Sequence, residues 1–289
     1  MNQFELQDLE SADCILCRSG EKSILLYQFK PFGVVRCSQC GLLYLSPRLK
    51  ESAIVRIYEE RGYYSPGGDF GYRSYVDQER SLMLTFRRFL RYLSKKKLSG
   101  GDLLEVGCGF GYLLEEARGF FGRRIGIDLS KEAVDKARSV SDGVHCGRIE
   151  TLPESLGLFD TIIAVNLLEH LYDPLEFLKA AKRRLRRGGA MVIATPNAGS
   201  FWFYVMGRRW PSFKIPEHVT FFNFQSLNLL FLKAGYPKTI TIPFPHAFPL
   251  SLVGKKLGIE VPSALGCLAI WLPKTMIAVA AMEDKSDEE

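Results

Sequence analysis

What this chain of 289 residues lacks narrows its class before any motif is read. No Gly-Lys-Ser or Gly-Lys-Thr follows its glycine-rich stretch, which excludes a P-loop nucleotide site. The opening residues, Met1 to Asp8, hold no basic stretch followed by an apolar core. No secretory leader is therefore expected, and a cytoplasmic location is. No unbroken apolar run is long enough to span a bilayer. Val261 to Met282 comes closest, and Pro262, Pro273 and Lys274 interrupt it. Charge of one sign is also scarce, the net being only +6. Basic clusters at Arg87-Arg88, Lys95–Lys97, Arg183-Arg184, Arg186-Arg187 and Arg208-Arg209 read as solvated helix faces and helix ends, so a nucleic-acid partner is not expected. Aromatic residues, by contrast, are abundant enough to exclude global disorder. Only 283–289 reads as a frayed charged tail.

The most informative stretch is Leu-Leu-Glu-Val-Gly-Cys-Gly-Phe-Gly at 103–111, an apolar run ending in Glu105 with Gly107, Gly109 and Gly111 at alternating positions. It predicts a buried strand that turns sharply into a helix starting at Tyr112, with side chains removed so that a ligand can approach the backbone. A Rossmann dinucleotide loop is excluded, because Tyr112 stands where its third glycine belongs. A second apolar strand, Arg-Ile-Gly-Ile-Asp-Leu at 124–129, ends in Asp128 one helix length later. A carboxylate there can accept hydrogen bonds from both hydroxyls of a ribose, and it can equally start a helix with Ser130. Two further strands end in polar residues. One is Phe159-Asp160 through Asn166-Leu-Leu-Glu169-His170. The other is Leu185 to Gly188-Gly189, running on to Thr195-Pro196-Asn197.

These four segments, in this order, resemble class I S-adenosylmethionine (SAM)-dependent methyltransferases over about residues 75–282. Arg187 departs from the proline usual in that family. The resemblance implies an α/β fold, a Rossmann-like sheet of seven strands with helices on both faces, and a SAM site above the carboxyl ends of the strands. It assigns the glycine loop to the methionine part of SAM and Asp128 to the ribose. Glu105 would receive donors from the loop or, through water, the ammonium. Leu129 would touch the adenine face. Arg148 stands where an acid is common, which leaves a backbone donor near Ile149 for the adenine. Asn166 and Leu167 would close the pocket near the methyl group. Lys238–Ile242 and Thr275–Ala281 are expected as the last, antiparallel strand pair, with 243–274 inserted between them as a cap that faces either substrate or a membrane surface.

Seven cysteines remain to be explained. Cys14-x-x-Cys17 and Cys37-x-x-Cys40 form two knuckles that can set four thiolates around a tetrahedral ion, zinc being the usual occupant and iron the alternative. Four protein ligands leave no open position, so the role is structural. Strand-like residues Ser23–Phe29 and Val34-Val35 lie between the knuckles, giving a zinc ribbon over 1–45. A linker over 46–72 and the methyltransferase domain over 73–282 follow. Cys108, Cys146 and Cys267 read as small core residues. With Gly41 to Arg48 and Tyr63-Tyr64, the ribbon resembles a bacterial methyltransferase subgroup, some members of which act on nucleotide-linked sugars or natural-product precursors.

Acceptor chemistry is expected around Pro216-Glu217-His218, set among aromatics, with His218 as general base beside Glu217. The expected function is methyl transfer to a small molecule. RNA methylation and a catalytically idle SAM-binding protein are the alternatives.

Overall fold

The computed structural model describes residues 5–18, 23–61, 76–257, 260–266 and 268–282. Tyr63-Tyr64, Cys267 and the charged tail lie outside them. The amino-terminal part contains β1 (Leu9–Glu10), β2 (Ser23–Phe29), β3 (Phe32–Cys37), β4 (Leu43–Leu45), β5 (Arg48–Leu49) and α1 (Glu51–Arg61). After α2 (Glu79–Lys95), strands and helices alternate: β6 (Asp102–Val106), α3 (Tyr112–Glu116), β7 (Arg123–Asp128), α4 (Lys131–Ala137), β8 (Gly143–Cys146), β9 (Phe159–Val165), α5 (Pro174–Arg183) and β10 (Leu185–Pro196). Then come α6 (Phe201–Met206), β11 (Thr220–Phe221), α7 (Phe224–Lys233), β12 (Thr239–Ile242), β13 (His246–Pro249), α8 (Leu250–Leu257), α9 (Ser263–Gly266), β14 (Ala269–Leu272) and β15 (Met276–Met282).

Seven strands form one sheet in the order β12-β15-β10-β9-β6-β7-β8. The five from β10 to β8 run parallel, and β15 pairs antiparallel with both β10 and β12. This is the expected sheet, with its expected antiparallel end. The period of two along each strand separates two cores. Leu104, Ile162, Met191, Ile193 and Val279 project among Phe177 and Leu178 of α5 and Leu227 and Leu230 of α7. Leu103, Ile163, Val192, Ala194 and Ala278 project to the other face, among Phe89, Leu90 and Leu93 of α2. Because these five strands are parallel, their carboxyl ends share one edge.

The inserted segment holds its own hairpin, β13 with β14, and two short helices. Thr85 of α2 anchors it by accepting the Ala247 N–H at 2.9 Å. No helix of the described residues is long and apolar enough to cross a membrane.

The ribbon differs from its sequence expectation in one respect. Strands β2, β3 and β4 form an antiparallel sheet whose fourth member is β11, from far downstream. Thr220 lies opposite Tyr44 and Phe221 opposite Leu43, and the Leu45 N–H donates to the Val219 carbonyl at 2.9 Å. One side of this sheet buries Phe32, Val34, Leu43, Leu45 and Phe221 with Trp210. The other side carries Cys14, Leu16, Cys37, Leu42 and Tyr44 into the same core as Leu168 and Phe222. The stretch read as linker also holds structure, since α1 buries Ala53 and Ile54 against the first of these clusters.

Candidate active site

At the shared edge, the chain leaves β6 through three glycines with φ of 75°, 52° and 82° at Gly107, Gly109 and Gly111. Side chains rarely adopt these angles, so the turn needs glycine. The loop stays paired with β7: the Gly107 N–H donates to the Ile127 carbonyl at 2.8 Å and that of Cys108 to the same oxygen at 3.1 Å. Asp128, at the end of β7, accepts the Gly109 N–H at 2.9 Å and, through its other oxygen, the Ser130 N–H at 2.9 Å. Its carboxylate is therefore fixed in place while keeping acceptor capacity. Gly111 is also sterically required, since a Cβ there would lie 2.7 Å from Val140 Cγ2. Gly111→Ala is expected to destabilise the fold by about 1–3 kcal/mol, measured by urea unfolding; an unchanged midpoint would refute this packing.

Glu105 is buried, and one of its oxygens meets no donor. Burial, reinforced by the charge of Asp128, pushes its pKa well above the usual carboxylate range. Its backbone partner is Leu114 of α3 rather than the glycine loop. Leu129 is 60% exposed at the mouth of the site. Ile149 is buried at the start of a short 3-10 turn, and Arg148 beside it turns outward to pair with Glu51 of α1 at 2.8 Å. Across the edge, Asn166 follows β9 with φ 51°, its N–H donating to the Ala194 carbonyl at 2.9 Å. Asparagine is one of the few residues that tolerate this conformation. Leu167 packs on Gly107, where an added Cβ would come within 3.3 Å of Leu167 Cδ1. The loop and the end of β9 thus meet. Cys146 is corrected: it is exposed rather than in the core, because β8 is an edge strand. Cys108 is buried as expected.

Beyond β9 lies a group that sequence reading separated. The His218 and His170 rings meet edge to face, with centroids 4.5 Å apart and planes at 83°. His218 Nδ1 lies 2.9 Å from the Ser212 carbonyl. A carbonyl only accepts, so Nδ1 carries the hydrogen and Nε2 keeps the lone pair. The Val219 N–H donates to the Glu169 carbonyl at 2.9 Å, which ties this segment to the end of β9. Burial, then the charges of His170 and Lys214, push the His218 pKa well below its usual value; burial first, then Lys214, brings His170 to about 3. Burial raises Glu169 to about 7 even though Thr195 donates its hydroxyl at 2.9 Å. Glu217 is buried in the same segment, and its backbone supports the His170 ring. A neutral imidazole lone pair beside a carboxyl group titrating near neutrality can handle protons. Glu169 was legible only as part of a Leu-Glu-His string. Its Thr195 partner stood in the Thr195-Pro196-Asn197 segment, with nothing in the spacing to join it to Glu169.

The four knuckle cysteines converge, with all four Sγ atoms within 4.8 Å of one another and those of Cys14 and Cys40 at 3.5 Å. All four are free thiols. The turns close as knuckles, the Arg18 N–H donating to the Cys14 carbonyl at 2.7 Å and that of Gly41 to the Cys37 carbonyl at 2.9 Å. Burial pushes Cys14 up to about 12 and Cys40 to about 11, and the four converging thiols are a donor set that suits a tetrahedral cation.

The profile of the family described as "Methyltransferase domain" matches residues 75–239. Among curated proteins, the ubiquinone biosynthesis O-methyltransferase of Xanthomonas euvesicatoria pv. vesicatoria is 32% identical over 138 residues, 44% of this chain and 58% of that protein. A Mycolicibacterium smegmatis protein named "Probable S-adenosylmethionine-dependent methyltransferase/" is 29% identical over 164 residues, 56% of this chain and 62% of the relative. The chain thus spans less than two thirds of either relative. Among solved structures, a SAM-dependent methyltransferase of Thermotoga maritima, titled "possible histamine N-methyltransferase", is 20% identical with a TM-score of 0.52, over 73% of this chain and 93% of that one. That likeness is one of fold.

Proposed function

This chain belongs to the class I SAM-dependent methyltransferase family, and from that premise we propose that it methylates a small-molecule acceptor such as a sugar, a nucleotide-sugar or a natural-product precursor. What supports the reading is a glycine loop braced by Asp128 after β6 and, after the neighbouring strand β9, the half-buried His170 against the buried His218. SAM supplies a methyl group made electrophilic by its sulfonium. The chain's residues do the rest. The glycine loop and the start of α3 take the methionine end, and Asp128 takes the ribose hydroxyls. Leu129, apolar yet exposed, suits an adenine face, and a backbone donor at Ile149 suits its edge. Asn166 and Leu167 wall the methyl side. The unmatched oxygen of Glu105 fits a ligand that brings donors, directly or through water. His218, positioned beside Glu217, accepts the proton when the acceptor is a hydroxyl or an acidic carbon.

Two measurements test this reading. Purified protein given methyl-labelled SAM and a panel of acceptors should label one class; binding without any transfer would identify an idle SAM-binding protein instead. Asp128→Ala should weaken SAM binding by about 1–3 kcal/mol in calorimetry, and unchanged affinity would remove Asp128 from the site. The RNA alternative fits less well, because several arginines of the basic clusters are spent on internal pairs. Arg87 pairs with Glu116 at 2.7 Å, Arg183 with Glu176 at 3.1 Å and Arg186 with Asp102 at 2.8 Å.

For the ribbon we propose a single structural zinc on Cys14, Cys17, Cys37 and Cys40. The Sγ separations support it, since a tetrahedron of ~2.3 Å bonds sets sulfurs about 3.8 Å apart.

A further inference from the structure

We propose that α6 and the two arginines following it form a docking surface for an anionic phospholipid bilayer. A helix on a water-soluble protein normally turns its apolar stripe inward. Here Phe203 faces in, against Trp210 and Phe213. Phe201, Tyr204 and Val205, spaced i, i+3, i+4 on one face, point out and are 67%, 72% and 63% exposed. α6 ends at Met206, and after Gly207, at φ 49°, a 3-10 turn carries Arg208 and Arg209 beside it. Arg208 and Arg209 are both exposed, and among the described residues neither pairs with a carboxylate, Arg208 lying over the Phe29 ring at 5.1 Å. Aromatic and aliphatic side chains beside arginines match the boundary between headgroups and acyl chains, where rings bury their faces and guanidinium groups meet phosphate.

The dimensions favour a bilayer over a second copy of the chain. Three side chains exposing on the order of 400 Å² together fall short of the ~800 Å² per partner that stable dimers bury. Two arginines and a net charge of +6 specify an anionic surface. The patch is also held firmly. Ser200 caps α6 by accepting the Phe203 N–H at 3.1 Å, and Trp202 Nε1 donates to the Pro273 carbonyl at 2.8 Å at the end of the cap hairpin. That hairpin region exposes Leu268 and Trp271. Because α6 starts just after Asn197 at the end of β10, docking turns the carboxyl edge of the sheet toward the lipid. The inference is independent of which acceptor is methylated.

Co-sedimentation of the full chain with vesicles tests it. Binding is expected to phosphatidylcholine vesicles containing about one quarter phosphatidylglycerol, but not to pure phosphatidylcholine, and added salt should weaken it. Phe201→Ser with Val205→Ser should abolish retention, and Arg208→Glu with Arg209→Glu should weaken it on the order of tenfold or more. Leu232→Ser, at an exposed leucine of α7, should bind as the parent does, and thermal melts should match throughout. Failure to bind anionic vesicles, or retention indifferent to the α6 substitutions, would overturn the proposal. So would a concentration-dependent dimer abolished by the serine pair, which would make a second copy the occupant.

Discussion

Replacing His218 with alanine is expected to cut turnover on the order of a hundredfold or more while leaving SAM affinity within about twofold. The asymmetry follows from position. Asp128 and the glycine loop lie on β6 and β7, whereas His218 is held from the far side by Ser212, Lys214 and the end of β9. Loss of its Nδ1–H bond leaves the Ser212 carbonyl unmatched, which costs about 1–3 kcal/mol of stability, so His218→Asn serves as the companion variant. A parallel fall in SAM affinity, stability and turnover would mark His218 as a residue that only secures the loop. Full activity would remove it from the site.

The protonation state gives a second readout. His218 has a pKa depressed by burial, then by His170 and Lys214. The folded state therefore refuses a proton that the unfolded chain takes up below about pH 6.5. The stability this confers is fully present above that value and is lost as pH falls toward the folded pKa, at up to ~1.4 kcal/mol per pH unit. Glu169, raised to about 7, has the opposite sign: its contribution is present at low pH and lost as pH rises through about 7. The two oppose each other in the intact protein, so the difference between parent and His218→Asn isolates the imidazole. Relative to the parent, the variant should gain stability at pH 5 over pH 7 in urea midpoints, since the contributions of Glu169, His170 and His246 remain in both proteins. Equal pH dependence in both proteins would contradict a neutral buried His218.

Much of this was legible because it is local. Alternating glycines at 107, 109 and 111 announce left-handed backbone, and all three adopt it. Apolar runs ending in Glu105, Asp128, Asn166 and Asn197 announce parallel strands ending together. What stayed hidden is non-local or lacks period. A two-residue strand such as β11 has no alternation to detect, and its partner is fixed only when β4 packs beside it. The His170–His218 contact joins residues on either side of β10, α6 and the aromatic segment. In the presumed linker, the Pro, Gly and Tyr residues after Arg61 masked the preceding helix, α1, whose Ala53 and Ile54 gain burial only from strands elsewhere in the chain.

Removing the proposed zinc is expected to disturb more than the ribbon. If residues 1–45 were a separate unit, chelation would loosen them alone. In this fold, however, β11 is the fourth strand of their sheet, and Val219, next to His218, receives the Leu45 N–H. Structural zinc sites of this kind hold on the order of 10 kcal/mol of folding free energy, far more than a three-stranded remnant can replace. Elemental analysis of protein purified without chelator should find a single zinc per chain. After chelation, amide exchange should accelerate over β3, β4 and Val219–Phe222, while β6, β9 and β10, buried between two helical layers, remain protected. Turnover should fall on the order of tenfold or more with SAM affinity kept within about twofold, because the loosened strand adjoins His218, the proposed base, and not the glycine loop. Exchange at Val219–Phe222 that ignores the metal would show that the sheet holds without it. Disulfides among the four cysteines under reducing conditions would remove the metal site altogether. With the strand coupled in this way, the ribbon braces the segment after His218 through the backbone pairing at Tyr44–Thr220 and Leu43–Phe221.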